Sequence, residues 1–174
     1  RKTHQFDMPV DPWRISGMPA SGLLPGISTD PLPAPGTGDR VIQAYNFRVT
    51  ATRAADRIPW PKPKGYDPLD YELLARVLAT GWNQVFRKFD RIRGGKVDIN
   101  NHGPVSTDWI GGNHAFPTAS PAEREAIFQG HVRWQQGLFW FLANDSRVPD
   151  WVRTEMNAWG LPADEFTDTG GWPH

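Results

Sequence analysis

Ser120-Pro121-Ala122-Glu123-Arg124-Glu125-Ala126-Ile127-Phe128-Gln129-Gly130-His131-Val132-Arg133-Trp134-Gln135-Gln136-Gly137-Leu138-Phe139-Trp140-Phe141-Leu142 decides the fold class. Its first four residues form a capping box with proline at the first helical position, so orphan backbone donors find side-chain oxygens and the chain can only turn into a helix there. Ile127, His131, Trp134, Leu138, Phe141 and Leu142 then share one stripe at helical spacing, which predicts a helix over 121–144. Leu138 to Leu142 is apolar all round and demands burial on every side. His131 lies on the stripe and reads as a satisfied core or interface histidine rather than a ligand.

Two further helices flank this one. Upstream, Asp67 is an N-cap, Pro68 occupies the first helical position, and Tyr66 can staple onto Tyr71. Leu69, Leu73, Leu74, Val77, Leu78, Val85, Phe86 and Phe89 keep helical spacing and predict a helix over 68–89, with a weak point at Gly81. Downstream, Val148-Pro149-Asp150-Trp151 starts a helix over 149–159, which Gly160 is expected to close in the left-handed conformation.

Strands are fewer. Val41 to Thr52 is rich in β-favouring residues, and Gly94-Gly95 makes a turn into the short strand Lys96 to Ile99. The expected architecture is therefore α+β: three helices packed on a small antiparallel sheet that brings Gln43–Thr50 alongside Lys96–Ile99. Residues 1–40 are a proline- and glycine-rich loop segment and 41–174 the α+β domain. A loop of that length in a compact domain is expected to lie against something else, with Leu23 and Leu24 as its docking point.

Composition removes several classes of function. The 174 residues carry 19 basic and 19 acidic side chains, so no basic excess exists to neutralise nucleic-acid phosphates. There is no cysteine, which excludes disulfides, thiolate zinc sites and iron–sulfur clusters. No stretch approaches the roughly 20 apolar residues of a membrane-spanning helix. Gly36-Thr37-Gly38 starts like a dinucleotide loop but lacks the third glycine, a preceding strand and a following helix, so it reads as a turn.

Function points instead to Asp98-Ile99-Asn100-Asn101-His102-Gly103-Pro104-Val105-Ser106-Thr107-Asp108-Trp109-Ile110-Gly111-Gly112-Asn113-His114. Amides, hydroxyls, imidazoles and carboxylates crowd around glycines there, with no apolar run long enough to be core. Asn46 and Arg48, on one face of the strand beside it, either belong to a solvated polar face or point into the same pocket, where arginine would offer a fork to an anionic group. Two chemistries compete on residue type alone. Asp98, His102, Asp108 and His114 have the donor atoms for a divalent metal, as in a metal-dependent hydrolase, although their spacing fits no metal motif and no metal is expected. Trp109 with the asparagines and aspartates would suit a carbohydrate-binding module, against which the helical content argues.

A third possibility comes from resemblance. Gln43-Ala44-Tyr45-Asn46-Phe47-Arg48, Lys96-Val97-Asp98-Ile99-Asn100-Asn101 with Gly103 and Ser106-Thr107-Asp108, Gly137-Leu138 to Phe141-Leu142, and Asp164-Glu165-Phe166 to Gly171-Trp172-Pro173 run in order along nearly the whole chain. These blocks resemble a bacterial family of FAD-dependent oxidoreductases, some members of which carry the label xanthan lyase. In that family a Rossmann-type flavin domain is interrupted by a substrate-side region, and this chain resembles the inserted region only.

The resemblance implies a substrate-facing domain that lacks the FAD-binding domain, does not retain FAD by itself, and serves hydride transfer from a small, possibly carbohydrate-like substrate to flavin. Since the chain starts at Arg1 and stops abruptly after Trp172-Pro173-His174, a piece of a longer protein is expected. In the roles this implies, Asn46, Arg48, Asn100, Asn101, Ser106, Thr107 and Asn113 hold substrate, and His102, Asp108 or His114 takes the proton. Leu23, Leu24, Phe139, Trp140 and Trp172 are expected to meet the flavin domain or a second subunit, and otherwise to drive self-association.

Overall fold

The computed structural model describes residues 5–31 and 33–174. Three strands, β1 (Val49–Thr52), β2 (Phe89–Arg91) and β3 (Lys96–Ile99), and three helices, α1 (Glu72–Ala79), α2 (Pro121–Asn144) and α3 (Asp150–Ala158), make an α+β fold. The sheet is antiparallel with β3 in the middle, pairing Val49 and Phe89 on either side of Ile99. Strand alternation turns Val97 and Ile99 inward, where they join Val49, Ala51 and the apolar faces of the helices in one core. Asp98 faces the other way.

Helix α2 is as the sequence predicts. Ser120 Oγ accepts from Glu123 N at 3.4 Å, while the Glu123 carboxylate accepts from Ser120 N at 2.7 Å. Its stripe from Leu138 to Leu142 packs on Leu74, Leu78, Val152 and Met156. Ahead of α1, Asp67 accepts from Leu69 N at 2.9 Å and the Tyr66 ring stacks on Tyr71 at 5.6 Å, completing the expected start.

Four expectations are corrected. The first helix stops at Ala79 and does not reach Phe89, because Gly81 adopts φ +88°, a left-handed conformation that breaks the ladder. Val85, Phe86 and Phe89 are then brought together by a turn, with Phe86 and Phe89 rings edge to face at 5.0 Å, and the chain enters β2, a strand the helical spacing had hidden.

The strand from Val41 is regular only from Val49. Upstream of it the backbone is held by side chains: His114 Nδ1 accepts from Ile42 N, Asn113 Nδ2 donates to Gln43 O, and Gln135 Nε2 donates to Phe47 O. With its groups satisfied in this way, the segment needs no ladder.

Gly160 does not cap α3 in the left-handed region. It exchanges two backbone hydrogen bonds with Thr52 (2.9 and 3.0 Å), and a Cβ there would lie 2.4 Å from Ile58 O, so glycine serves close approach to the edge of β1.

Finally, Leu24, Phe139 and Trp172 are 2%, 2% and 1% exposed, so this chain itself covers them, and Leu23 and Trp140 are half-buried. The N-terminal loop docks on α1: Arg76 donates to the carbonyls of Asp11 (2.9 Å) and Trp13 (2.7 Å), and Leu24 N donates to Pro12 O at 2.8 Å.

Candidate functional site

The Asp98–His114 segment leaves β3 and crosses the end of the sheet. Three clamps hold it. Trp134 Nε1 on α2 donates to Ser106 O at 3.1 Å, and one residue further Gln135 Nε2 donates to Thr107 O at 3.0 Å. Gly103, at φ +90°, lets the chain pass under Trp82, whose ring a Cβ would meet at 2.5 Å.

Within this frame the predicted residues divide. Asn101, His102 and Asp108 line an open groove of 900 Å³ together with Gln84 and Lys88. Asn101 Nδ2 donates to the Asp108 carboxylate, which also fixes the amide. His102 Nε2 lies 2.8 Å from Gln84 Oε1, an oxygen that can only accept, so the ring donates there. Trp82 stacks on His102 at 6.2 Å.

The other candidates have partners inside the chain. Arg48 makes a two-pronged pair with Asp98, which holds the guanidinium in its charged form beyond its usual range. Asn46 Nδ2 donates to Thr107 Oγ1 at 3.1 Å and Asn100 Oδ1 at 3.4 Å. Ser106 and Thr107 are buried, and Ser106 Oγ accepts from Asp108 N at 3.3 Å. Asn113 is fully buried. His114 is half-buried against Ile42 N. His131 donates from Nδ1 to Ile127 O at 2.8 Å, but its buried Nε2 has no partner among the described residues, so it is a core histidine satisfied on one side only.

Several groove residues escaped the sequence. Trp82, Gln84 and Lys88 sat within what read as a core helix, and only the left-handed Gly81 turns them toward the site. Gln135 had a visible signal, a polar side chain on the apolar stripe one turn after His131.

The four residues weighed as metal ligands do not converge: Asp98 holds Arg48, Asp108 holds Asn101, His102 holds Gln84, and His114 accepts from Ile42. Among the described residues no group of three or more His, Asp or Glu could hold a metal ion.

A family model described as FAD dependent oxidoreductase matches residues 3–174. The chain belongs to this family. No curated protein and no solved structure matches. FAD is therefore the cofactor of the full-length FAD-dependent oxidoreductase.

The residues described do not fit its dinucleotide. Pyrophosphate is cradled where a parallel strand runs through a glycine-rich turn into a helix N-terminus. The described sheet is wholly antiparallel, and Gly36, in open space with nothing within 4 Å of an added Cβ, precedes no helix. Among the described residues no helix is long and apolar enough to cross a membrane.

Proposed function

We propose that this chain is the substrate-side region of an FAD-dependent oxidoreductase, inserted into a flavin-binding domain that supplies the cofactor, and that the full-length enzyme removes a hydride from a small polar substrate. The observation that carries this is the convergence of Asn101, His102 and Asp108 on one open groove, where a hydrogen-bonding amide, an imidazole and a carboxylate can meet a single substrate. Asn101 holds the Asp108 carboxylate in place, so its oxygens accept from substrate hydroxyls without first having to reorient. His102 takes the proton: its imidazole lines the groove and is oriented by the Nε2 contact to Gln84 Oε1 and by the Trp82 ring stacked on it. Arg48, Asn46, Asn100, Ser106, Thr107, Asn113 and His114 act on substrate through this frame, by keeping the segment in register with β1 and α2.

The test is anaerobic flavin reduction in the full-length, FAD-bound protein with a panel of hexoses and hydroxy acids. Asn101→Ala and Asp108→Ala should each slow reduction and leave FAD bound, and His102→Ala, which removes the proton acceptor, should slow it by about 100-fold. Wild-type reduction rates in all three variants would overturn the site.

A further inference from the structure

A second cavity of 320 Å³ shares Pro104, Asp108 and Ile110 with the groove and otherwise has its own walls: Trp109, Trp134, Asp70, Leu73 and Arg133. Its volume falls at the low end of ligand pockets, about 300–1,000 Å³.

The aromatic wall is built in. Trp109 is seated against two glycines, since a Cβ on Gly112 would come within 2.4 Å of the indole and one on Gly130 within 2.6 Å. It lies nearly parallel to Trp134, with ring centroids 6.3 Å apart and 14° between planes. Trp134 is itself fixed by its bond to Ser106 O.

The polar wall is unspent. Asp70 is half-buried, and burial with the nearby Asp67 raises its carboxyl above the usual range, against the pull of Arg133. Asp70 and Arg133 form no ion pair with each other or with any other described residue. An acceptor-only group and a donor-only group thus stand ready beside two indoles.

We propose that this cavity is a subsite for a sugar ring, holding a second unit of a substrate whose reacting unit lies in the groove, an inference that rests on the substrate-side function proposed above. A pyranose presents C–H surfaces to indoles and hydroxyls at its rim. Those hydroxyls donate to Asp70 and accept from Arg133, which a purely apolar ligand cannot do. A phosphate or polyanion is disfavoured, because Asp70 and Asp108 place two carboxylates against the single guanidinium. The shared residues Pro104, Asp108 and Ile110 set the two spaces side by side, the arrangement a substrate of at least two units requires.

The experiment is titration of the 174-residue chain with cellobiose, glucose and phenylalanine, followed by the indole N–H signals of Trp109 and Trp134 in nitrogen-15 NMR. Cellobiose should give a saturable shift of both signals. Asp70→Asn and Arg133→Gln, at solvent-accessible positions and with folds verified by circular dichroism, should each weaken it about tenfold, the effect of one charged hydrogen bond. Absence of a saturable shift with either sugar, equal affinity in both variants, or preferential binding of phenylalanine would overturn the subsite. Because binding is read without flavin, such a failure leaves the oxidoreductase function standing. Conversely, sugar binding with unaltered flavin reduction in the groove variants would sink the groove assignment and spare the subsite.

Discussion

Replacing Gln135 by leucine tests whether one buried amide holds the site to the fold. The side chain is fully buried on α2, and its Nε2 donates to Thr107 O at 3.0 Å and to Phe47 O at 3.3 Å, tying the polar segment and the approach to β1 to the same helix. Leucine keeps the volume and removes both donors. Each neutral hydrogen bond contributes about 1 kcal/mol net, and an orphaned buried carbonyl adds a desolvation cost of about 1–3 kcal/mol. One term opposes this: Gln135 Oε1 is buried with no partner among the described residues, and leucine relieves it by a similar amount. Two lost bonds and one orphan cost left after the offset make the net about 3–5 kcal/mol of destabilisation. For a chain of this size, that lowers Tm by about 6–20 °C. Calorimetry gives the shift, and urea unfolding with an unchanged m-value would confirm that the native state lost stability. Amide exchange at Thr107 and Asp108 should also quicken. A Tm equal to or above wild type would refute the clamp.

Three other perturbations follow from single contacts. Gly137→Ala places a Cβ 2.0 Å from Tyr71 Oη, which is already bonded to Trp134 O at 3.0 Å, and overpacking of this kind should cost about 1–3 kcal/mol in urea unfolding. Gly160→Ala meets the Ile58 carbonyl at 2.4 Å and should loosen the bridge to β1, read as faster exchange of the Thr52 and Leu161 amides while α2 stays protected. Asp145 is held below the usual carboxylate range, first by its side-chain bonds from Arg147. A lowered native pKa contributes stability that is fully present above the ordinary value of 3.8 and is lost as pH falls through the native value. Asp145→Asn should therefore flatten the acid limb of a stability–pH curve and leave its shape at neutral pH unaltered, as measured by thermal melts between pH 2 and 7.

The helical part of the fold was legible where local chemistry is self-sufficient. Ser120 and Glu123 satisfy each other across one turn, and Asp67 with Pro68 needs only its own neighbours, so those starts stand as written. The end of α1 was not, because Val85, Phe86 and Phe89 satisfy a helical period and a turn-to-strand path alike, and the choice falls to the backbone of Gly81. Residues 41–48 failed for a related reason: an extended segment looks the same in sequence whether a strand or a set of side chains will take up its hydrogen bonds.

The site shows the same division. Residue type alone marked Asp98 to His114 as polar, glycine-rich and unfit for core, and ordered blocks of sequence carried the family. Which of those groups face a groove, and which hold the chain together, depends on contacts between residues fifty or more positions apart. Asn46 Nδ2 reaches Asn100 and Thr107, Arg48 reaches Asp98, and Asn113 Nδ2 reaches Gln43, so these donors are committed before any ligand arrives. The sequence by itself determined the helix starts and the chemistry available to the site, since these rest on short-range periodicity and residue type. Only the tertiary structure decided that Asn101, His102 and Asp108 share an open groove with Gln84 and Lys88, because burial and hydrogen-bond satisfaction are settled when distant segments meet.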